Sequence, residues 1–246
     1  MTTDYDGIAA EYKRAKQQPW RMHVEYHTLF GLAGELEGRS VLDLACGEGF
    51  HTRFIRRNGA ADVVGVDLSQ GMIDLAREEE RRAPLGITYL QGDAADLALD
   101  RSFDLVMAAY LLNYARSEAE LGAMARAIVR HLEPGGRFVT VNNNPDHDRR
   151  HFYDSRKYGF VKHAAMPLSD GVPVEYEFFL GDGGSVTITN FHLAMDTHER
   201  VLREAGFRHV EWHAPQLAPG AGAGVPDGYW NAFLQQPPVV FLACTR

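Results

Sequence analysis

The sequence is poor in cysteine, in basic relative to acidic residues, and in long apolar runs. Its two cysteines, Cys46 and Cys244, form neither a disulfide framework nor a CxxC metal motif, so we expect a reducing, cytoplasmic setting. The 25 basic against 33 acidic residues give a formal net charge of −8, which disfavours nucleic-acid binding because that affinity depends on cationic side chains. No window approaches about 18 uninterrupted apolar residues and no signal-peptide core opens the chain, so we expect a soluble protein without membrane contact.

Metal-binding motifs are missing as well. The chain has 11 histidines, but His147 and His151 lie in a polar stretch without a nearby cysteine, and no HExxH pattern occurs. We therefore expect no metal site and a surface position for these two histidines.

Two motifs of nucleotide-binding proteins are also absent. No GxxxxGK[ST] loop occurs, which argues against a phosphate-cradling nucleotide hydrolase. A dinucleotide-binding GxGxxG motif is incomplete, because Gly47-Glu48-Gly49-Phe50-His51-Thr52 has threonine where the third glycine belongs. A dinucleotide-dependent reductase is thereby disfavoured and kept as a distant alternative.

The chain does contain a strand, a glycine turn and a helix start in direct succession. Val41 to Leu44 is an apolar run of strand length, Gly47 and Gly49 follow, and apolar residues recur at helical spacing over 50–57. Glycine lets the backbone adopt unusual torsions and approach a ligand closely, while the N–H groups of the helix start stay available. This pattern predicts a turn that holds a small molecule.

Further strand and helix patterns alternate along the chain. Strands are predicted at 62–66, 87–90, 103–109, 137–142, 208–213 and 239–244. Helices are predicted in the leader 5–36, with a break at Pro19, and at 69–82, 121–132 and 197–205, the third of these closed by the Pro-Gly-Gly at 134–136. Strands alternating with helices indicate a parallel sheet covered on both faces. The polar, irregular stretch 143–162 interrupts this rhythm, and a β-hairpin is predicted over 174–180 and 185–192.

Acidic residues mark the predicted sheet edge where ligands bind. Asp43 lies inside the first strand and Asp67 ends the second. Ligands of open α/β sheets bind outside the carboxyl ends of the strands, where an acid accepts hydrogen bonds from ribose hydroxyls. Asp67 therefore suits an adenosine ribose.

Four motifs, at 41–50, 63–69, 92–95 and 103–106, follow one another in this order. Together they resemble the motif series of class I S-adenosylmethionine-dependent methyltransferases, strongly over 35–142 and by strand count to the end of the chain. The resemblance implies a seven-stranded Rossmann-like α/β sheet with helices on both faces, a helical N-terminal lid and an inserted β-hairpin cap. It implies one domain, 1–246, made of a leader (1–36), a cofactor-binding half (37–142), an inserted substrate cap (143–195) and the C-terminal part of the sheet (196–246).

The resemblance also assigns roles toward S-adenosylmethionine, whose product is S-adenosylhomocysteine. The implied contacts run from the methionine end of the cofactor to its adenine. Ala45, Cys46 and Gly47 pass the methionine part, Tyr12 and Arg21 cover the cofactor and pair its carboxylate, and Asp67 holds the ribose. Leu68, Met72, Asp93 and Ala94 surround the adenine, and Ala109 and Tyr110 line the channel to the methyl group.

A closer likeness concerns the leader and the segments after the fourth and fifth strands. The runs 5–9, 18–21, 108–114 and 141–145 resemble the toxoflavin-type N-methyltransferases of secondary metabolism, which methylate ring nitrogens of planar azapteridines. The candidate substrate-binding residues are Trp20, Tyr110, Asn113, Asn142, Asn143, Tyr158 and His192. Aromatic rings stack on a flat substrate, and an amide both donates to and accepts from the edge of a heterocycle.

The predicted activity is methyl transfer by proximity and orientation, without a dedicated catalytic residue. Its substrate is expected to be a small planar heterocycle, and the protein a monomer or a weak homodimer. The alternatives are a small-molecule O-methyltransferase, the reductase mentioned above, and a cofactor-binding protein without catalysis.

Overall fold

The structure is a computed structural model that describes residues 18–246. The predicted helix before Pro19 and the proposed cofactor residue Tyr12 lie outside these residues. Pro19 itself opens a helical segment, the position that proline tolerates because a first-turn N–H has no partner within the helix.

The described chain contains helices of three kinds and ten strands. A π-helical segment, Arg21–Tyr26, leads into helix α1 (His27–Ala33), and the other α-helices are α2 (Phe50–Arg57), α3 (Gln70–Arg82), α4 (Glu118–Arg130), α5 (Met195–Ala205) and α6 (Asn231–Gln235). Short 3-10 helices span Leu112–Tyr114, Arg149–His151 and Asp154–Tyr158. The strands are β1 (Ser40–Leu44), β2 (Asp62–Asp67), β3 (Thr88–Gln91), β4 (Phe103–Ala109), β5 (Leu132–Asn143), β6 (Phe160–Ala164), β7 (Pro173–Phe179), β8 (Ser185–Phe191), β9 (His209–His213) and β10 (Val239–Thr245).

Seven strands form the main sheet in the order β3-β2-β1-β4-β5-β10-β9. The first five are parallel, whereas β10 runs antiparallel to both β5 and β9. The strand order reverses between β1 and β4, which is the switch point where open α/β sheets form their ligand crevice. The predicted seven-stranded Rossmann-like sheet is confirmed.

Two apolar cores lie on opposite faces of this sheet. Alternate residues of β1 belong to different cores: Val41 packs with α1, α2 and α3, and Leu42 packs with α4 and α5. Strands buried on both faces read as continuous apolar runs, which is why this part of the sequence predicted the sheet so well.

The inserted segment differs from the prediction. It forms a three-stranded antiparallel sheet in the order β6-β7-β8, not a hairpin alone. The extra strand, β6, lies partly inside the stretch that was expected to be irregular. Lys162 and His163 hid its strand pattern, because both are polar although Lys162 is fully buried. The Pro-Gly-Gly at 134–136 is also different: it lies within β5, where the register against β4 shifts, and helix α4 already ends at Arg130.

The glycine turn leaves no room for a side chain at Gly49. This residue has a φ of 83°, and a Cβ atom there would clash with the Tyr89 hydroxyl. We predict that Gly49→Ala lowers the free energy of unfolding by about 1–3 kcal/mol, because an L-residue is strained at positive φ and Tyr89 must move.

The matched control is Gly31→Ala on α1, where a Cβ atom meets nothing within 4 Å. It should be neutral or stabilise by about 0.5–1 kcal/mol, since alanine is the better helix former. Urea denaturation of the three proteins measures both effects. Equal stability of the two variants would contradict the proposed constraint.

Candidate active site

Two strained residues flank the switch point of the sheet. Among the described residues other than glycine, only Ala45 and Tyr110 have positive φ, at 55° and 66°. They lie just after β1 and β4, which are neighbours in the sheet. Strain of this kind persists where the surrounding structure fixes it, and it concentrates at functional sites.

The carboxylate of Asp67 holds the glycine turn in place. Its Oδ2 accepts the Gly47 N–H at 2.8 Å, and its Oδ1 accepts the Ser69 N–H at 2.9 Å. Both carboxylate oxygens of Asp67 thus accept backbone N–H groups at the carboxyl end of β2. The turn after β1 and the start of α3 are thus fixed by one side chain.

The threonine that replaces the third glycine of a dinucleotide motif has a structural role. Thr52 is buried on α2, and its hydroxyl donates to Oδ2 of the buried Asp43 at 2.6 Å. This bond ties α2 to the middle of β1. The missing glycine is therefore replaced by a residue that links the helix to the strand.

The predicted adenine-binding residues lie around the ends of β2 and β3. Leu68 is 65% exposed, while Met72, in the first turn of α3, is buried. Asp93 is exposed and its carboxylate accepts the Ala95 N–H at 2.8 Å; Ala94 is buried. Leu68 and the carboxylates of Asp67 and Asp93 thus lie at the carboxyl ends of the adjacent strands β2 and β3.

A buried polar cluster connects the leader to the end of β4. The Arg21 guanidinium donates to Glu25 Oε2 at 2.8 Å, and the Tyr110 hydroxyl donates to the same oxygen at 2.5 Å. Nε2 of His51 lies 3.6 Å from the other oxygen. Burial raises the pKa of Glu25, but the charge of Arg21, together with His51 and Tyr110, outweighs it and lowers the pKa to about 2.

A narrow cavity, half of whose lining residues are aromatic, lies beside this cluster. Its lining comes from the leader, the end of β4, the end of β5, the start of β10 and the second sheet. The lining residues are Trp20, Arg21, Tyr110, Asn143, Phe160, Tyr176, Phe178, Ile188, Asn190 and Val239. The guanidinium of Arg21 lies over the rings of Trp20 and Phe178, at 4.7 and 5.6 Å from their centroids. The cavity has a volume of about 10 Å³ in this structure, room for about one water molecule, and its aromatic rings offer flat apolar surfaces.

A second cavity of about 30 Å³ adjoins the first, and Asn143 and Tyr176 line both. Two predicted substrate residues, Asn113 and His192, line the second cavity only. Burial lowers the pKa of His192, against the opposing effect of Asp170 and Asp146. The structure therefore divides the predicted substrate residues between two adjacent cavities.

Asn142 and Tyr158 line neither of these cavities. Asn142 follows the alternation of β5 onto the face opposite Asn143, where its Oδ1 lies 3.5 Å from the Thr140 hydroxyl. The Tyr158 hydroxyl donates to the Tyr229 carbonyl at 2.7 Å, and its ring stacks on Trp230. The geometry gives both side chains a packing position, and their predicted contact with substrate stays a prediction.

The expectation of a surface position is wrong for His147. Its ring is 4% exposed and contacts Phe152, whereas His151 is partly exposed and pairs with Asp154. Burial, with a smaller contribution from Lys162, lowers the pKa of His147 to about 2, so this ring is neutral. Within residues 18–246, no three His, Cys, Asp or Glu side chains are grouped to hold a metal ion, and none of the helices is long and apolar enough to cross a membrane.

Sequence reasoning missed several residues of these cavities and of the polar cluster beside them. Tyr176 and Phe178 alternate along a strand that was predicted, so their period of two already indicated a shared face. Glu25 stands four residues after Arg21 on a helical pattern, a spacing typical of ion pairs. Phe160 and Lys162 gave no such signal, because their strand was not recognised.

Known proteins are similar to this chain in sequence and in fold. A family model described as a methyltransferase domain matches residues 41–136. A dTDP-3-amino-3,4,6-trideoxy-alpha-D-glucopyranose N,N-dimethyltransferase from Streptomyces venezuelae is 38% identical over 210 residues, 77% of this chain and 84% of that protein. A cypemycin N-terminal methyltransferase from a Streptomyces species is 36% identical over 122 residues, so the match spans about half of each protein, 49%. Among solved structures, the CcbJ methyltransferase from Streptomyces caelestis superposes with a TM-score of 0.68 at 22% identity, covering 99% of this chain and 97% of that one.

The sheet order, the turn after β1 and these matches define a class I methyltransferase fold. The chain belongs to the S-adenosylmethionine-dependent methyltransferases. The cofactor of this family is S-adenosylmethionine.

The residues present fit that cofactor. The Asp67 carboxylate lies at the end of β2, where an acid can accept hydrogen bonds from ribose hydroxyls, and the exposed Leu68 offers an apolar face beside it. Asp67 would hold the ribose and Leu68 would cover the adenine. Arg21 would meet the cofactor carboxylate only by sharing or leaving Glu25, with which it pairs in this structure.

We predict that Asp67→Asn weakens S-adenosylmethionine binding roughly 10- to 100-fold, because a hydrogen bond to a charged acceptor is lost. The matched control is Asp62→Asn, at the other end of the same strand, where Asp62 pairs with Arg101. Calorimetric titration measures both variants, after circular dichroism has verified that they are folded. Equal affinity of the two variants would remove Asp67 from the cofactor site.

We predict that Glu25→Gln makes the protein less sensitive to acid. The folded-state pKa of Glu25 is about 2, below its ordinary 4.5, so the carboxylate stabilises the fold above about pH 4.5 and loses this effect as the pH falls toward 2. The stability difference between wild type and variant should therefore shrink by about 3 kcal/mol over that range. Urea denaturation at several pH values measures it, with the exposed Glu35→Gln as control. A constant difference would contradict the buried ion pair.

Proposed function

We propose that this protein transfers the methyl group of S-adenosylmethionine to a ring nitrogen of a small planar heterocycle, as the toxoflavin-type enzymes do with azapteridines. The observation that carries the proposal is the aromatic-walled cavity next to Tyr110. It lies at the carboxyl end of β4, beside the turn that suits the cofactor. Aromatic rings from Trp20, Phe160 and Phe178 provide flat apolar surfaces for such a ring.

Nitrogen as the acceptor atom is supported by one of the relatives. The name of the Streptomyces venezuelae enzyme specifies N,N-dimethylation. In this chain, the amide of Asn143 reaches the aromatic cavity and offers a donor and an acceptor to a heterocycle edge.

The proposed mechanism depends on alignment and exclusion of water. The bound cofactor supplies a methyl group that its sulfonium charge activates. Tyr110, fixed by its strained backbone and its bond to Glu25, borders the path between cofactor and acceptor. Trp20 and Phe178 orient the ring and keep water out, and the acceptor loses a proton when it is not already anionic. Orientation alone contributes roughly 7–11 kcal/mol in favourable cases.

The two flanking segments have proposed roles in the same reaction. The described part of the leader contributes Trp20 and Arg21 to the cavity wall, which supports its role as a lid. The second sheet contributes Phe160, Tyr176 and Phe178, which supports its role as a substrate cap. We propose a cytoplasmic enzyme that acts as a monomer or a weak homodimer.

A second candidate acceptor is the amine of a nucleotide-linked amino sugar. It is supported by the relative from Streptomyces venezuelae, whose named substrate is a dTDP-linked amino sugar and which matches most of this chain. The aromatic walls favour the flat heterocycle over the sugar ring.

A methyl-transfer assay read by mass spectrometry tests the proposal. The acceptors are an azapteridine series, a dTDP-linked amino sugar and a small phenol, each incubated with S-adenosylmethionine. We expect a mass increase of one or more methyl groups on a heterocycle ring nitrogen. Methylation of the amino sugar alone would favour the second candidate, and methylation of the phenol alone would favour an O-methyltransferase.

The variants at the two ends of β2 control this assay. Asp67→Asn should slow transfer at low cofactor concentration, and Asp62→Asn should not. Tight binding of NADH without binding of S-adenosylmethionine would contradict the proposal in favour of a reductase. Cofactor binding without transfer to any acceptor class would favour a non-catalytic protein.

A further inference from the structure

A lysine is fully buried in the second sheet without an acidic partner. Lys162 on β6 is 1% exposed, and within residues 18–246 its Nζ finds one hydrogen-bond acceptor, the Pro238 carbonyl at 2.7 Å. The rings of Tyr176 and Phe152 lie 5.1 and 5.5 Å from the nitrogen. An ammonium has three donors and is costly to bury unpaired, so this arrangement leaves two N–H groups to be satisfied.

Further polar atoms without partners belong to residues that line the same small cavity. Asn113 and His147, both 4% exposed, line it together with Lys162. The Nδ2 of Asn113 and the Nδ1 of His147 have no hydrogen-bond partner among the described residues. The Oδ1 of Asn113 is already used by the Asn143 N–H, which fixes the amide so that its NH₂ group is the unsatisfied end.

The composition of this cavity matches an anion. No carboxylate lies within ion-pair distance of Lys162 in the described part of the chain, while Lys162 and Asn113 both present donors. A volume of about 30 Å³ admits a carboxylate-sized group but not a nucleotide. Burial lowers the pKa of Lys162 well below its ordinary value, and an anion at this point would restore the charged form.

The cavity adjoins the proposed substrate site. Asn143 and Tyr176 line both cavities. The side chain of Asn143 donates to Asn190 at 2.9 Å, which holds this shared wall in place.

We propose that the cavity of Lys162, Asn113 and His147 binds a negatively charged oxygen group of the methyl acceptor. This inference deepens the proposed function and rests on it: the acceptor is a planar heterocycle that binds as an anion. The charge comes either from a carboxylate substituent or from the ionised ring itself, where it spreads over the carbonyl oxygens. Lys162 recognises the substrate and touches no atom of the cofactor.

Matched pairs of planar probes test the inference. Protein saturated with S-adenosylhomocysteine is titrated with 6-carboxypterin against 6-methylpterin, and with lumazine against 1,3-dimethyllumazine, which cannot ionise. We expect the ionisable member of at least one pair to bind at least about tenfold more tightly. A preference within the first pair shows that the site binds a carboxylate substituent. A preference within the second pair shows that it binds an ionised ring.

Lys162→Met should abolish this preference while leaving the affinity for the neutral probe unchanged, which also verifies that the variant is folded. Lys157→Met, at an exposed lysine on the preceding 3-10 helix, is the matched control and should keep the preference. Asn113→Asp retains the acceptor for the Asn143 N–H and should also abolish it. A preference that survives Lys162→Met, or equal binding of both members of each pair by the wild type, would overturn the inference.

A crystallographic measurement gives an independent answer when none of the four probes binds. Crystals of the wild-type protein are soaked in sodium bromide, and anomalous scattering locates the bromide ions. A bromide ion beside Lys162, Asn113 and His147 supports the inference, and its absence from this cavity overturns it. The methyl-transfer assay reads the proposed function separately, since it can fail while the anion site is present, or succeed while it is absent.

Discussion

The carboxylate of Asp67 is the interaction on which the cofactor half of the molecule depends. It bonds the backbone N–H of Gly47 in the turn after β1 and that of Ser69 at the start of α3. These two segments follow the neighbouring strands β1 and β2 and lead into different helices. One side chain therefore fixes the distance between them at the edge of the crevice. Because Asp67 also ends β2, the sheet, the turn and the predicted ribose contact share a single anchor.

The sequence was sufficient to predict the main sheet and the cofactor turn. Residues such as Val41 and Leu42 are apolar because both faces of β1 are covered, and this produces runs that stand out from their surroundings. Glycines with positive φ, such as Gly49, mark the turn just as clearly. In these segments the residue types that are visible in the sequence directly reflect the local backbone conformation.

The second sheet and its cavities were predicted less well, because they depend on contacts between segments distant in the chain. Lys162 and His147 are polar residues in a polar stretch, and only the folded chain shows that both are buried. Asn142 and Asn143 are identical in the sequence, yet the alternation of β5 sends their side chains to opposite faces. The hydrogen bond between Tyr110 and Glu25 likewise joins residues 85 positions apart in the chain.

The contact between the main sheet and the second sheet has a consequence for which mutations the protein tolerates. They are separate sheets, and the contact of Asn143 on β5 with Asn190 on β8 is made by side chains. Point mutations can therefore rebuild the second sheet without disturbing the pairing of the strands that carry the cofactor crevice. Under the proposed function, in which the second sheet caps the methyl acceptor, such mutations would change acceptor choice and leave the main sheet intact.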